Sequence, residues 1–236
     1  MTNSLWLLCI TAASIGFFHT LFGPDHYLPF IVMKKARNWS LAKTLSITLA
    51  CGLGHILSSV VLGLIGIAAG VAVMKLEIFE AFRGNIAAWA LIGFGFAYFL
   101  WGIRMAIRNK PHEHLHIHDD KEEHSHHHSH VDVHSHVHEN SAKSITPWIL
   151  FTVFVLGPCE PLIPILMYPA AKNSITGLIM VTAIFGIVTI TTMMTIVMVT
   201  SFGLSLVPMR RVERYTHALA GATIFLSGMA IQFLGL

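Results

Sequence analysis

Charge is the scarcest commodity in this chain: Asp, Glu, Lys and Arg make up 11% of its 236 residues, against 54% hydrophobic. Together with a mean hydropathy of +0.67, that excludes a soluble domain, where about 25% of residues are charged. Cysteine is scarce too. Cys9, Cys51 and Cys159 lie far apart in apolar segments, which excludes a disulfide framework. The net charge of +3 comes from basic loops and gives no sign of a nucleic-acid partner. No basic stretch precedes the first apolar run, so that run is not read as a removable signal peptide. No H-E-x-x-H motif occurs, so the usual helical signature of a zinc hydrolase is missing. We therefore expect no catalytic residues and no organic cofactor.

Long apolar runs, in contrast, are abundant. Six reach the roughly 20 residues needed to cross a bilayer: 4–33, 43–74, 85–107, 146–171, 174–207 and 214–235. Each must be helical, because an open sheet leaves unpaired backbone groups in lipid. The expected fold is all-α: a polytopic membrane protein of six transmembrane helices, with the lipid bilayer as its first partner. Lys34, Lys35, Arg37 and Lys43 follow the first span. Arg104, Arg108, Lys110, Lys121 and Lys143 flank the connection after the third, and Arg210, Arg211 and Arg214 precede the sixth. Only Lys75, Arg83 and Lys172 fall on the other side. By the positive-inside rule both termini face outward from a bacterial inner (plasma) membrane and the basic connections are cytoplasmic.

One span contains what a membrane segment should avoid. Within Phe18-His19-Thr20-Leu21-Phe22-Gly23-Pro24-Asp25-His26-Tyr27-Leu28-Pro29 stand two imidazoles and a carboxylate, and ionisable groups at that depth are expensive and by default functional. On an unbroken helix His19 and His26 would lie roughly 10.5 Å apart along the axis, too far to share an ion at about 2 Å per bond. Pro24 has no N–H and interrupts the helix. That break either brings the two imidazoles together or leaves another helix to supply the missing ligands. His55, in Gly52-Leu53-Gly54-His55-Ile56-Leu57-Ser58-Ser59 of the second span, is the candidate partner, with Ser58 nearby as a neutral oxygen donor. The third span carries no internal charge and reads as scaffold.

The fourth span repeats the device in Leu156-Gly157-Pro158-Cys159-Glu160-Pro161-Leu162-Ile163-Pro164, with Pro169 beyond. Gly23-Pro24-Asp25-His26 and Gly157-Pro158-Cys159-Glu160 have matching offsets from their span starts. Carrying that offset forward sets Thr189 opposite His55, and Thr192 and Met193 opposite Ser58 and Ser59. The chain thus divides into a first three-helix repeat (1–107), a connection (108–143) and a second three-helix repeat (144–236). An odd number of spans per half makes the halves inverted, and broken helices at matching positions mark a midplane binding site. His217, at the start of the sixth span, is a further candidate ligand.

The connection holds twelve of the 16 histidines: His112, His114, His116, His118, His124, His126, His127, His128, His130, His134, His136 and His138. No helix or strand period orders them, so the segment reads as a disordered cytoplasmic loop. Imidazole suits zinc, copper, nickel and cobalt, and metal buffering is its expected role.

Taken together, H-x5-D-H on a Gly-Pro break, G-H-x-x-S-S in the second span, and G-P-C-E-P-L-I-P with M-Y-P-A in the fourth resemble the UreH-like membrane domain. That domain is related to the nickel/cobalt permeases and to thiol-disulfide membrane proteins of the CcdA type. The resemblance covers all six spans. It implies transport of a divalent transition-metal cation, with His19, Asp25, His26 and His55 at the matching motif positions. The expected function is transport of nickel or cobalt, or of zinc, through a metal site of His19, Asp25, His26, His55, Cys159 and Glu160. Two alternatives stand beside it: a CcdA-like thiol-disulfide carrier, and an intramembrane metal-dependent hydrolase. A homo-oligomer is compatible with either.

Overall fold

A computed structural model describes residues 2–108, 114–116, 124–126, 145–157, 159, 161–172, 174–205 and 213–235. Helix α1 (Thr2–Phe22) ends at the first Gly-Pro pair, a single 3-10 turn covers Pro24–His26, and α2 (Leu28–Ala36) follows. Helix α3 (Leu41–Ala68) opens on Ser40, whose hydroxyl accepts from the Lys43 N–H at 3.2 Å and so satisfies a donor that the first turn leaves orphaned. Helix α4 runs Val73–Arg108. The fourth expected span is divided into α5 (Thr146–Leu156) and α6 (Leu162–Ala171), before α7 (Ile175–Ser205) and α8 (Thr216–Leu234).

Five of these helices are long and apolar enough to cross a membrane: α1, α3, α4, α7 and α8. The sixth expected crossing is the α5–α6 pair, two short helices on either side of the second break. Helix α4 corrects the sequence reading. It starts at Val73, not near 85, and carries Glu80 and Arg83 inside the helix. Hydropathy placed those charges outside the span, but they are i,i+3 neighbours that pair with each other, and the pairing lets the helix continue. The His-rich connection is corrected in one place as well. His114–His116 pairs antiparallel with His124–His126 as β1 and β2, in the register His114 to His126 and His116 to His124. The other loop histidines expected to bind metal, His112, His118, His127, His128, His130, His134, His136 and His138, lie outside the described residues.

The most extensive packing is α4 against α8. Helix α1 lies on α7, and α3 lies on α5, α6 and α7. The α4–α8 crossing is close enough to require glycine. A Cβ on Gly95 would stand 2.7 Å from Phe225 Cα, and one on Gly221 would stand 2.6 Å from Phe99 Cα. Small residues that let backbones approach are the usual glue of helices in lipid. Gly221→Val must force the pair apart. We expect it to lower stability in detergent by about 1–3 kcal/mol, read as an earlier thermal unfolding transition. Two apolar clusters form the interior. One gathers Phe30, Met33, Cys51, Leu150, Phe154, Met193 and Ile224, and the other Ala12, Cys159, Leu162, Leu166, Val181 and Phe185. The first joins α2, after the first break, to the end of α5, and the second holds the residues that follow the second break.

Candidate functional site

The first break draws the two distant imidazoles together. The chain leaves α1 at Gly23, whose N–H still donates to the His19 carbonyl at 3.0 Å, and turns through Pro24, with the His26 N–H donating to the Gly23 carbonyl at 3.1 Å. A carbonyl released by the break, that of Leu21, accepts from the Tyr27 hydroxyl at 3.3 Å. The result sets the rings of His19 and His26 with centroids 4.8 Å apart. Gly23 is required here: a Cβ on it would stand 2.5 Å from His26 Nδ1.

Helix α3 supplies the third imidazole. The His55 ring lies 5.1 Å from that of His26, edge to face. The second break buttresses it from behind. The Phe154 carbonyl at the end of α5 sits 3.3 Å from His55 Nδ1, and a Cβ on Gly157 would stand 3.4 Å from the same atom. Both breaks thus converge on one point.

The hydrogen bonds fix which nitrogen faces inward. His26 Nδ1 lies 3.2 Å from the Gly23 carbonyl and 3.2 Å from Asp25 Oδ1. His55 Nδ1 faces the Phe154 carbonyl. Carbonyls and carboxylates only accept, so both Nδ1 atoms donate, and each Nε2 presents a lone pair. The Nε2 atoms of His19, His26 and His55 are all buried without a hydrogen-bond partner. One ligand atom from each of the three lies within 4.8 Å of the others. A tetrahedral ion with nitrogen bonds of about 2.0–2.1 Å holds its ligands roughly 3.4 Å apart, so small ring movements close the set.

Asp25 takes a different place from the imidazoles. Its carboxylate sits on the outer nitrogen of His26, the position from which a second partner orients a ligating histidine and raises its basicity. Asp25→Asn is therefore expected to weaken metal affinity about 10–100-fold without abolishing binding, measured by competition against a chromogenic chelator.

The other sequence candidates are distributed elsewhere. Cys159 is fully buried, and its backbone N–H donates to Ser59 Oγ and Glu80 Oε2, both at 3.2 Å. Glu160 lies outside the described residues. Ser58 donates to the His55 carbonyl at 2.8 Å. Thr189 is buried beside Gly16, Met193 packs against Gly52, and Thr192 is half-buried. His217 shares a 2.8 Å hydrogen bond with the Tyr98 hydroxyl beside Trp101, where Arg37 lies over the Tyr98 and Trp101 rings, and is no part of the trihistidine group.

Sequence reasoning missed the Glu80–Arg83 pair. Glu80 is wholly buried and takes the Ser59 hydroxyl, the Cys159 N–H and the Arg83 guanidinium. Arg83 reaches the Val155 carbonyl at 2.7 Å and Ser58 Oγ at 2.8 Å. The i,i+3 spacing of opposite charges between apolar turns was the signal available.

Residues 27–230 match the cytochrome c biogenesis protein transmembrane region. The chain belongs to that family. Membership supports the CcdA-type relation and overturns the resemblance to the UreH-like domain and the nickel/cobalt permeases; metal transport, nickel, cobalt and permease fall with it as descriptions of this chain. The physical reason is that Gly-Pro breaks and buried imidazoles report how a backbone is bent and what it encloses. Relatives of one architecture share such features, and H-x5-D-H also has one residue more than the H-x4-D-H of those permeases. The match to the cytochrome c biogenesis family begins at Tyr27 and so includes His55 and Cys159 but not His19, Asp25 or His26. No curated protein and no solved structure matches the chain significantly.

Proposed function

We propose that this member of the cytochrome c biogenesis transmembrane family holds one divalent transition-metal ion at the centre of its bundle, on His19, His26 and His55, with Asp25 orienting His26. The observation that carries the reading is that one ring nitrogen from each of the three histidines lies within 4.8 Å of the others, while all three carry a buried, unpartnered Nε2. Leaving three such groups unsatisfied in an apolar interior costs about 1–3 kcal/mol each; a shared cation relieves all three. Zinc suits the donor set. The chain reads as an inverted repeat. Exchanging its halves maps α1–α7 packing onto the packing of α5 and α6 with α3, and leaves α4–α8 and α3–α7 as self-related pairs. The test is metal content of purified protein lacking residues 111–140, which removes all twelve loop histidines. A tightly held, chelator-resistant ion should remain, and a metal-free protein with intact helical content would refute the site.

Family membership favours a second reading, carriage of thiol–disulfide exchange. Cys159 stands on the second break in support of it. Against it, the matching position of the first break holds Asp25, and Cys9 and Cys51 lie on the other helices α1 and α3. Dithiol exchange needs an attacking and a resolving thiol. We expect Cys159→Ser to leave metal content unchanged and acid-quenched trapping to show no mixed disulfide with a thioredoxin-like protein. A trapped adduct lost in Cys159→Ser would favour the thiol carrier.

A further inference from the structure

The trihistidine group is enclosed unevenly. His55 is walled by α4 and the end of α5, where only a void of about 30 Å³ adjoins it. His19 and His26 instead line a cavity of about 770 Å³ that reaches past Ser14, Asn85 and Pro161 to Gln232 and Gly235. Gln232 and Gly235 lie at the C-terminal end of α8, and Asn85 lies in the first half of α4, so the cavity extends toward the end of the bundle where α8 finishes. Apart from Asp25 its polar lining is uncharged: Ser14, Asn85 and Gln232.

Three protein ligands leave a tetrahedral ion one position short, the pattern of exchangeable rather than sealed sites. Among the described residues no fourth His, Cys, Asp or Glu joins the group. The charge is also incomplete. A divalent ion on three neutral imidazoles, with the single Asp25 carboxylate behind them, retains net positive charge in an apolar surround, where unbalanced charge is costly.

We propose that the metal keeps its remaining position open to this cavity and takes there a small monoanionic ligand entering from the end of the bundle where α8 finishes. The inference rests on the metal reading above and deepens it. Its test uses the full-length protein loaded with Co²⁺, whose visible spectrum reports coordination directly. The difference spectrum between wild type and His26→Ala isolates the trihistidine site from cobalt on the loop, and His55→Ala is a second reference should His26→Ala fold poorly. Titration with azide, against chloride at equal ionic strength, should shift the difference spectrum saturably. Asn85→Trp, which fills the cavity away from the ligands, should retain stoichiometric cobalt and weaken azide binding roughly tenfold, about 1.4 kcal/mol. Absence of any difference spectrum refutes the metal site itself. A cobalt difference spectrum that azide does not move, or moves only in Glu160→Gln, shows the fourth position to be closed or held by the protein, and overturns the proposal. An azide response unchanged by Asn85→Trp overturns the cavity as the route.

Discussion

Replacing His26 by alanine is expected to eliminate the tightly bound ion while leaving the helices inserted. His26 is the central member of the group: its ring lies within about 5 Å of both others, 4.8 Å from His19 and 5.1 Å from His55. It also connects the group to Asp25 and to the turn at Gly23. Without it, two imidazoles from separate helices remain, and the carboxylate behind them loses its partner. Loss of an outer partner alone costs about 10–100-fold in affinity, so loss of the ligand and its partner together should exceed that range. Metal content and chelator competition on protein lacking residues 111–140 read the effect, with far-ultraviolet circular dichroism as the control for folding. A variant that keeps wild-type affinity would show that the three imidazoles are arranged for hydrogen bonding and not for an ion.

What made this centre legible in advance was local. Pro24 and Pro158 are backbone statements that hold in any surroundings, so both helix interruptions could be placed to the residue. Histidine in an apolar run is anomalous by its cost alone, which singled out His19, His26 and His55. What was not legible depended on partners distant in sequence. His217 and His55 are both single histidines in apolar segments, yet one meets Tyr98 and the other meets the His26 ring. Asp25 is adjacent to His26 and was read as a ligand, and its carboxylate lies on the outer Nδ1 of His26. Family assignment failed for a related reason. The motif residues describe a bent, polar-lined helix, and a bend of that kind is common to carriers of quite different cargo. Helix α4 was read too short because its two charges cancel across one turn of helix, a fact that average hydropathy does not register.

Those two charges give the second large expected effect. In a continuous helix the Val155 carbonyl would accept from the Cys159 N–H, four residues on. The break at Gly157 separates them, and the ion pair replaces the lost bond: Arg83 donates to the Val155 carbonyl at 2.7 Å, and Glu80 accepts from the Cys159 N–H at 3.2 Å. The clamp also reaches the trihistidine group. Val155 follows Phe154, whose carbonyl orients His55, and Ser58, held by Arg83, donates to the His55 carbonyl. Arg83→Ala leaves a wholly buried carboxylate without its cation and the Val155 carbonyl without that donor. Breaking a buried pair from one side costs about 3–5 kcal/mol. Replacing both, as in Glu80→Gln with Arg83→Met, leaves no bare charge and should cost less than Arg83→Ala alone. Guanidinium or thermal unfolding in detergent measures the first effect, and a double-mutant cycle separates the pair from its neighbours. Metal affinity supplies an independent readout, because a merely structural loss elsewhere in α4 would not disturb His55. If Arg83→Ala unfolds within about 1 kcal/mol of wild type, the pair behaves as a solvated surface contact, and the second break is held by apolar packing around Leu162 and Leu166 instead.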